Sequence, residues 1–417
     1  MQNKWIKWVI VLGCGVLIAL IPRPEGVTQE AWTLLAIFIA TIVGSIIQPM
    51  TGSAMVLLGV VACAIFRALT IEKALSGYAD KYVWLVLAAF FISRAMIKTG
   101  LGHRIALIFV RLIGRKTIGI GYALIFTDFI LASFIPSTGA RAGGIILPIA
   151  RSISETYDSR PDDGTAGRLG TFLMNLLYQC EVILCATFLT GQASNVIIAR
   201  FASEQAHIEL SYSMWFISAV VPALVSLTVI PLMIYRFFPP EIKETPNAVT
   251  FAHDELVKLG PLKRDEKILL AVFIVVVILW ITAKFHGIDP TVIALLGIAF
   301  LLITQVLEWS DVINEKHAWE VFIWYGGLVM MAAALGETNL PKLFAESIAG
   351  ITNGWTWPMA LLVLALVYFY AHYGFASITA HATAMFIPFL VVTMAVGAPA
   401  GLAVLALTYF SNLSAGL

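Results

Sequence analysis

Stretches of apolar residues follow one another along this chain, separated by short polar segments. A helix that crosses a bilayer needs about 17–25 mainly apolar residues, so each stretch predicts one membrane-spanning helix, the shorter ones being extended by their flanks. The twelve apolar stretches lie at 8–22, 31–48, 53–67, 82–98, 117–136, 169–190, 212–235, 268–283, 291–307, 321–336, 356–376 and 395–417.

Helix-breaking and polar residues interrupt this pattern most strongly between Ser133 and Ala150. Unpaired backbone groups cost several kcal/mol in lipid, so a broken helix at membrane depth has to be buried in protein or line a cavity. The pattern therefore predicts a re-entrant helical hairpin with its tip at Ser137, Thr138 and Gly139. The alternative is a pair of ordinary spans joined by a tight turn.

A second copy of this pattern follows 240 residues later. Trp84 and Trp324 each lie near the start of an apolar helix, and Ser137 and Ser377 each follow 53 residues after the tryptophan. The offset places a second tip at 377–379. An odd number of crossings separates the two tryptophan helices, so the copies have opposite orientations. Inverted repeats with broken helices are typical of secondary transporters, which bind solute between the repeats.

The repeat divides the chain. A first span at 1–27 precedes a first repeat at 28–238, which contains a second helix break at 190–195. A polar stretch at 239–267 reads as a cytoplasmic linker, and a second repeat occupies 268–417. The counterpart of the break at 190–195 would fall beyond the last residue, so we expect the second repeat to be truncated.

Composition and charge agree with a membrane protein. The 417 residues are 60% hydrophobic and 12% charged, against about 25% charged in soluble domains. A net charge of +1 indicates no nucleic-acid partner, and the four cysteines lie in apolar stretches without metal-ligand spacing. With alternating crossings, 17 lysines and arginines fall on the N-terminal side and 7 on the other, which predicts a cytoplasmic N-terminus.

The chemistry of the tips suits an oxyanion. Serine and threonine hydroxyls, and the free N–H groups at the start of a half-helix, bind carboxylates. Two such tips facing each other could hold a carboxylate at each end of a dicarboxylate. An intramembrane enzyme is the competing class, but no H-E-x-x-H, G-x-G-D or G-x-S-G motif occurs, so we expect no enzyme. A passive anion channel is a more remote alternative.

Ionisable residues within the membrane are costly and usually have a function or a partner. Arg141 could complement solute charge or replace a cation, or it could pair with Asp128 and cap carbonyls at the tip. Glu181 could couple protons or pair with an arginine. His381 stands where the first copy has Arg141 and could bind solute. Arg94 lies where its helix leaves the membrane, which favours a side chain that reaches the interface.

Four motifs together resemble those of the divalent anion:sodium symporter family, in the branch of the 2-oxoglutarate/malate translocators and the citrate or tartrate:succinate antiporters. They are A-F-F-I-S-R-A-M-I-K-T-G-L-G-H-R-I-A at 89–106, F-I-P-S-T-G-A-R-A-G-G-I-I-L-P-I at 134–149, F-L-T-G-Q-A-S-N at 188–195 and F-A-S-I-T-A-H-A-T-A at 375–384. The likeness covers essentially the whole chain.

The resemblance implies an all-α polytopic membrane protein of the plasma (inner) membrane, a homodimer in which a transport domain moves against a scaffold by an elevator-type mechanism. It implies a solute site formed by Ser137, Thr138, Gly139, Asn195, Ser377, Ile378 and Thr379. In sodium-coupled relatives a sodium site flanks this region, which here would fall near Ser137, Thr138, Gly191 and Asn195.

Departures from the family pattern affect the coupling. Thr138, Gly139 and Ile378 replace residues that are asparagine or threonine in sodium-coupled relatives, and isoleucine offers no oxygen to a cation. We therefore expect no cofactor, with sodium disfavoured, and predict exchange of di- or tricarboxylates of the malate, 2-oxoglutarate, succinate, fumarate and citrate class. Symport coupled to sodium or protons is the alternative.

Overall fold

The structure, a computed structural model, describes residues 2–351, 354–375 and 378–413. This part of the chain is built of helices and contains no β-strand, which confirms the predicted all-α class. The α-helices are α1 (Gln2–Leu20), α2 (Gln29–Ile47), α3 (Gly52–Ile65), α4 (Ile71–Leu75), α5 (Lys81–Thr99), α6 (Leu101–Ile113), α7 (Thr117–Ala132), α8 (Leu147–Thr156), α9 (Gly170–Thr187), α10 (Ala193–Ala206), α11 (Tyr212–Phe237), α12 (Pro246–Leu259), α13 (Arg264–Ile281), α14 (Ala283–His286), α15 (Pro290–Ile303), α16 (Trp309–Asn314), α17 (Lys316–Gly336), α18 (Leu340–Ile351), α19 (Trp357–Ala371), α20 (Ile378–Ala395) and α21 (Ala400–Leu413).

Helices of other types connect some of these elements. A π-helix at Gly139–Ile146 runs directly into α8. Short 3₁₀-helices lie at Ser76–Ala79, Ala166–Arg168, Leu189–Gly191 and His372–Gly374. The π-helix and the turn at Leu189–Gly191 fall in the two polar interruptions that the sequence predicts in the first half.

Several helices are long and apolar enough to cross a membrane. Within the described residues seven meet this condition, namely α2, α5, α9, α11, α17, α20 and the helix Trp357–Gly374, and four apolar helices are shorter. Each of the twelve apolar stretches contains one of the helices, so the prediction of a multi-pass membrane protein is confirmed. The sequence pattern did not show that α20, which follows the second tip, has 18 residues, enough to span by length alone.

Helix boundaries follow from capping side chains and glycines. The Asp80 carboxylate accepts a hydrogen bond from the Tyr82 N–H at 2.8 Å and thereby starts α5. Gly100, with φ of +75°, ends that helix in a left-handed conformation that glycine adopts without strain. The sharp turn at Gly100 brings α6 directly after α5.

The order of the helices is the same in both halves. A long helix (α5 or α17) is followed by a shorter one (α6 or α18), by a hairpin (α7 and α8, or α19 and α20) and then by a further apolar helix (α9 or α21). The two long helices pack against each other, and α20 packs against α10 of the first half. The orientation of each copy in a membrane stays a prediction.

The linker contains a helix that the sequence analysis did not predict. α12 packs against α6 and α8, and the Tyr157 hydroxyl accepts a hydrogen bond from the Ala248 N–H at 3.0 Å. At the other end of the first hairpin the Thr117 N–H donates to the Lys243 carbonyl at 3.0 Å. Both ends of the hairpin therefore meet the same linker, as expected if it enters and leaves by one side.

Candidate functional site

The tip of the first hairpin is an interrupted helix. α7 ends at Ala132, and Pro136 disfavours helical backbone in the residue before it. The chain turns helical again at Thr138 and continues as the π-helix, a form frequent at functional sites. The Ser137 Oγ accepts a hydrogen bond from the Ala140 N–H at 3.2 Å. The Ser137 hydroxyl hydrogen is bonded to no other described residue and is free to donate.

The break between α9 and α10 is held open by Asn195. Its buried amide donates to the carbonyls of Cys185 at 2.8 Å and Phe188 at 2.9 Å. The regular helix is interrupted here, because the chain is extended at Phe188 and Gln192, and the Phe188 carbonyl also accepts from the Gly191 N–H at 2.9 Å. The oxygen of the Asn195 amide accepts from Asn412 Nδ2 at 2.8 Å. Asn195 therefore stabilises the break by hydrogen bonds to the end of α9 and to α21.

The first tip is fastened to this break. The Ser133 carbonyl accepts hydrogen bonds from the Thr190 hydroxyl at 2.7 Å and from the Tyr212 hydroxyl at 3.0 Å. Arg141 completes the connection, because its Nη1 donates to the carbonyls of Ile135 at 2.7 Å and Gly191 at 2.6 Å. The structure thus brings together the tip and the break that the sequence predicted as parts of one site.

Arg141 lies fully buried between two carboxylates. Its Nε donates to Asp128 Oδ1 at 2.9 Å, and its Nη2 donates to Glu181 Oε1 at 2.9 Å and to the Cys185 sulfur at 3.7 Å. With the two carbonyls on Nη1, all five guanidinium donors are engaged. Of the alternatives that the sequence left open, this geometry supports pairing with carboxylates over direct contact with solute for Arg141, and it shows Glu181 paired with an arginine.

Two oxygens of the sodium site implied by the resemblance are already engaged. The Gly191 carbonyl accepts from Arg141, and the Asn195 side-chain oxygen accepts from Asn412. A guanidinium group therefore occupies the neighbourhood in which a cation would sit. Gly191 and Asn195 thus already have donors within the protein, and the sodium site near Ser137 and Thr138 stays a prediction.

The second tip is described only in part, because Ser377 lies outside the described residues. Ile378 is partly buried and Thr379 is buried. His381 is fully buried, with its Nε2 2.8 Å from the Tyr368 carbonyl and its ring 4.6 Å from that of His372. His381 therefore packs inside the second hairpin, next to its first limb.

A cavity of about 310 Å³ lies at the first tip, within the size range of small-molecule sites. The sequence predicted Ser137 and Gly139 at this place, whereas Thr138, Asn195 and the described residues of the second tip do not line the cavity. Its lining is Phe90, Ser93, Arg94, Ile97, Ser137, Gly139, Ala140, Glu315 and His317. A larger cavity of about 440 Å³ between α1, α2 and α3 has no charged residue in its lining.

The sequence analysis missed three ionisable residues of this cavity. Arg94 was expected to reach the interface, and Glu315 and His317 precede or begin α17, far from the tip in sequence. The one signal for Arg94 was its charge within an apolar stretch. Nothing local indicated that Glu315 and His317 face the first tip.

Comparison with known proteins gives matches over the whole chain. The family model described as the sodium:sulfate symporter transmembrane region matches residues 2–417. The putative malate transporter YflS of Bacillus subtilis is 45% identical over 410 residues, covering 98% of this chain and 86% of the relative. The chloroplastic dicarboxylate transporter 1 of Arabidopsis thaliana is 41% identical, covering 100% of this chain and 75% of the relative. The L-tartrate/succinate antiporter of Shigella sonnei is 31% identical, covering 92% and 82%.

These matches confirm the resemblance inferred from the four motifs, and they are to transporters rather than enzymes. The family model and the chloroplast relative each extend over essentially all the helices described above. The chain belongs to the sodium:sulfate symporter transmembrane family.

Proposed function

We propose that this protein exchanges small dicarboxylates across a membrane and binds them at the tip of the first hairpin. The observation that carries the proposal is the cavity of about 310 Å³ into which the tip presents Ser137 and Gly139. The Ser137 hydroxyl and the unpaired N–H groups at the start of a helix are donors suited to a carboxylate. Relatives named as malate, dicarboxylate and tartrate/succinate transporters support the same solute class.

Exchange is the mode that the residues at the tips favour. Thr138, Gly139 and Ile378 replace residues that are asparagine or threonine in sodium-coupled members of the family, and isoleucine offers no oxygen to a cation. Sodium- or proton-coupled symport remains the alternative and predicts uptake driven by a gradient of that ion.

The arrangement of the whole chain in the membrane is part of the proposal. The first and second repeats (28–238 and 268–417), joined by the linker at 239–267, would together form a scaffold and a transport domain that carries the hairpins, with an elevator-type movement of the transport domain against the scaffold. The protein would lie in the plasma (inner) membrane as a homodimer with a cytoplasmic N-terminus. The contact of both ends of the first hairpin with the linker supports the re-entrant topology.

Counterflow in proteoliposomes of the purified protein tests the function. We expect labelled malate to enter only vesicles loaded with unlabelled dicarboxylate, with or without sodium. Uptake that requires sodium and no internal substrate would indicate symport. Uptake that neither saturates nor needs internal substrate would indicate a channel.

Ser137→Ala is expected to weaken transport without preventing insertion. A hydrogen bond to a charged group contributes about 1.5–3 kcal/mol. Because a loss of about 1.4 kcal/mol weakens binding tenfold, the half-saturating malate concentration should rise about tenfold or more. Ser152→Ala, at an exposed position of α8 in the same hairpin, is the matched control. Equal half-saturating concentrations in the two variants would contradict the proposed site.

A further inference from the structure

Arg94 lines the same cavity as the tip of the first hairpin. It belongs to α5, one turn before the end of the helix, and its side chain is 39% exposed. The cavity that it lines also contains Ser137 and His317. An arginine and a hairpin tip that line the same small cavity can hold the two ends of a single anion.

The guanidinium of Arg94 is only loosely held by the protein. Its Nη2 lies 3.8 Å from Asp311 Oδ1 and its Nε lies 4.0 Å from Glu315 Oε2, both longer than a hydrogen bond. No hydrogen bond joins its side chain to another of the residues that the structure describes. Exposed pairs of this kind contribute little to stability, so Arg94 can change partners at small cost.

Asp311 is already committed to other groups. Its Oδ2 accepts from Lys98 Nζ at 2.5 Å and from the Glu308 N–H at 2.9 Å. Burial acts to raise the pKa of Asp311, but the hydrogen bond from Lys98 and that from the Glu308 N–H hold the pKa below its ordinary value. Of the two carboxylates near Arg94, only Glu315 lines the cavity, so Glu315 is the one that competes there for the guanidinium. No hydrogen bond from the Glu315 side chain caps α17.

The other two buried or part-buried arginines near this region differ from Arg94. Arg141 uses all five donors within the hairpin and the break. Arg104 is buried and donates to both oxygens of Glu266 and to the Gly260 carbonyl at 2.8 Å. These two side chains hold helices together, whereas Arg94 has no hydrogen bond to a described residue and lines a cavity of about 310 Å³.

We propose that Arg94 is the specificity-determining residue of the solute site: it binds the second carboxylate of a dicarboxylate whose first carboxylate lies on the Ser137 tip, and it releases Glu315 when it does so. This inference rests on the proposed function. A bidentate guanidinium–carboxylate pair supplies both charge and geometry, so solutes with one carboxylate lose this contact. Glu315 competes with solute for the same guanidinium.

The location of Arg94 also links binding to movement. Ser137 is carried by the hairpin, whereas Arg94 is carried by α5, which packs against α15 and α17. A displacement of the hairpin relative to α5 separates the two halves of the site. The solute would then lose the Arg94 contact, and Arg94 would return to Glu315.

Discrimination between two acids tests the proposal. Succinate and butyrate have the same chain length and differ by one carboxylate, so we expect succinate to inhibit malate counterflow by the wild type far more strongly. In Arg94→Gln the half-inhibitory succinate concentration should rise about tenfold or more, while that of butyrate stays within about twofold. Arg94→Lys should recover part of the preference for succinate over butyrate, since lysine keeps the positive charge but not the planar guanidinium that can bond to both carboxylate oxygens.

Glu315→Gln gives a second and opposite readout. Removing the competing carboxylate should lower the half-inhibitory concentration of succinate, by about two- to fivefold for an exposed pair, without changing that of butyrate. This variant keeps the proposal testable if Arg94→Gln fails to fold. Arg111→Gln, at an exposed arginine of α6 outside the cavity, is the matched control and should match the wild type.

The outcomes separate this inference from the proposed function. If the wild type shows no dicarboxylate counterflow, the proposed function is wrong. If the wild type exchanges dicarboxylates but Arg94→Gln prefers succinate over butyrate as strongly as the wild type does, the role of Arg94 is wrong. An equal loss of both affinities in Arg94→Gln, or no gain in Glu315→Gln, would also overturn it, because a merely structural arginine predicts those results.

Discussion

Arg141→Met is expected to lower the stability of the protein by about 3–5 kcal/mol, because removing one partner of a buried ion pair leaves the other charge uncompensated. Here two partners are left, since Asp128 and Glu181 both bond to Arg141 at 2.9 Å. The carbonyls of Ile135 and Gly191 also lose their donor. The measurement is the unfolding midpoint of the purified full chain in detergent, followed by tryptophan fluorescence.

A double variant separates charge from packing in this cluster. Adding Asp128→Leu to Arg141→Met removes one stranded carboxylate, and it should recover part of the lost stability because apolar side chains can replace a buried ion pair. Arg111→Met, at an exposed arginine, is the control for loss of a positive charge and should change the midpoint little. Similar midpoints for Arg141→Met and Arg111→Met would show that the buried cluster does not hold the tip to the break.

The local features of this protein could be predicted from its sequence because their signals are local. Apolar length fixes where helices lie in lipid, and all twelve stretches contain helices. Pro136 and the serine and glycine residues around it disfavour a continuous helix, so the interruption between α7 and the π-helix could be predicted, and its role as the tip of a re-entrant hairpin stays a prediction. The missed helix α12 is short and amphipathic, and it is stabilised by packing on α6 and α8 rather than by its own pattern.

Roles that depend on distant partners could not be predicted. Asn195 was expected to bind solute. In the structure its amide nitrogen donates to the carbonyls of Cys185 and Phe188, and its amide oxygen accepts from Asn412, which is 217 residues away. Arg94 was expected to reach the interface, yet it faces the same cavity as Ser137. In both cases the residue type indicated that a polar side chain has a partner at this position. Tertiary packing decided which group that partner is.

At the second tip, too, the sequence predicted the position of a residue but not its contacts. His381 stands at the position of the second copy that matches Arg141 and was expected to be able to bind solute, and the structure buries it against Tyr368 and His372. A matched position in a repeat therefore predicts a location more reliably than a role. The two halves share an order of helices, but their side chains meet different neighbours.

Gly191→Ala is expected to disrupt the break between α9 and α10. A Cβ atom at this position would lie 2.6 Å from the Cys185 carbonyl oxygen and 3.0 Å from that of Leu184, and both atoms belong to the backbone and cannot turn aside. Overpacking costs about 1–3 kcal/mol, and the shift would also strain the Asn195 bond to Cys185 and the Arg141 bond to Gly191. We expect a total loss of about 2–4 kcal/mol, with malate counterflow reduced about tenfold or more because the tip loses its support.

Gly401→Ala is the matched control for this change. Nothing lies within 4 Å of a Cβ built at Gly401, which is exposed near the start of α21, and alanine in a helix is favoured over glycine by up to about 1 kcal/mol. The control should therefore keep its unfolding midpoint or raise it slightly, while Gly191→Ala lowers it. If both variants kept the wild-type midpoint and the wild-type rate of counterflow, the close approach of Gly191 to α9 would not be what sets the geometry of the break, and the solute site would have to be supported from the second hairpin instead.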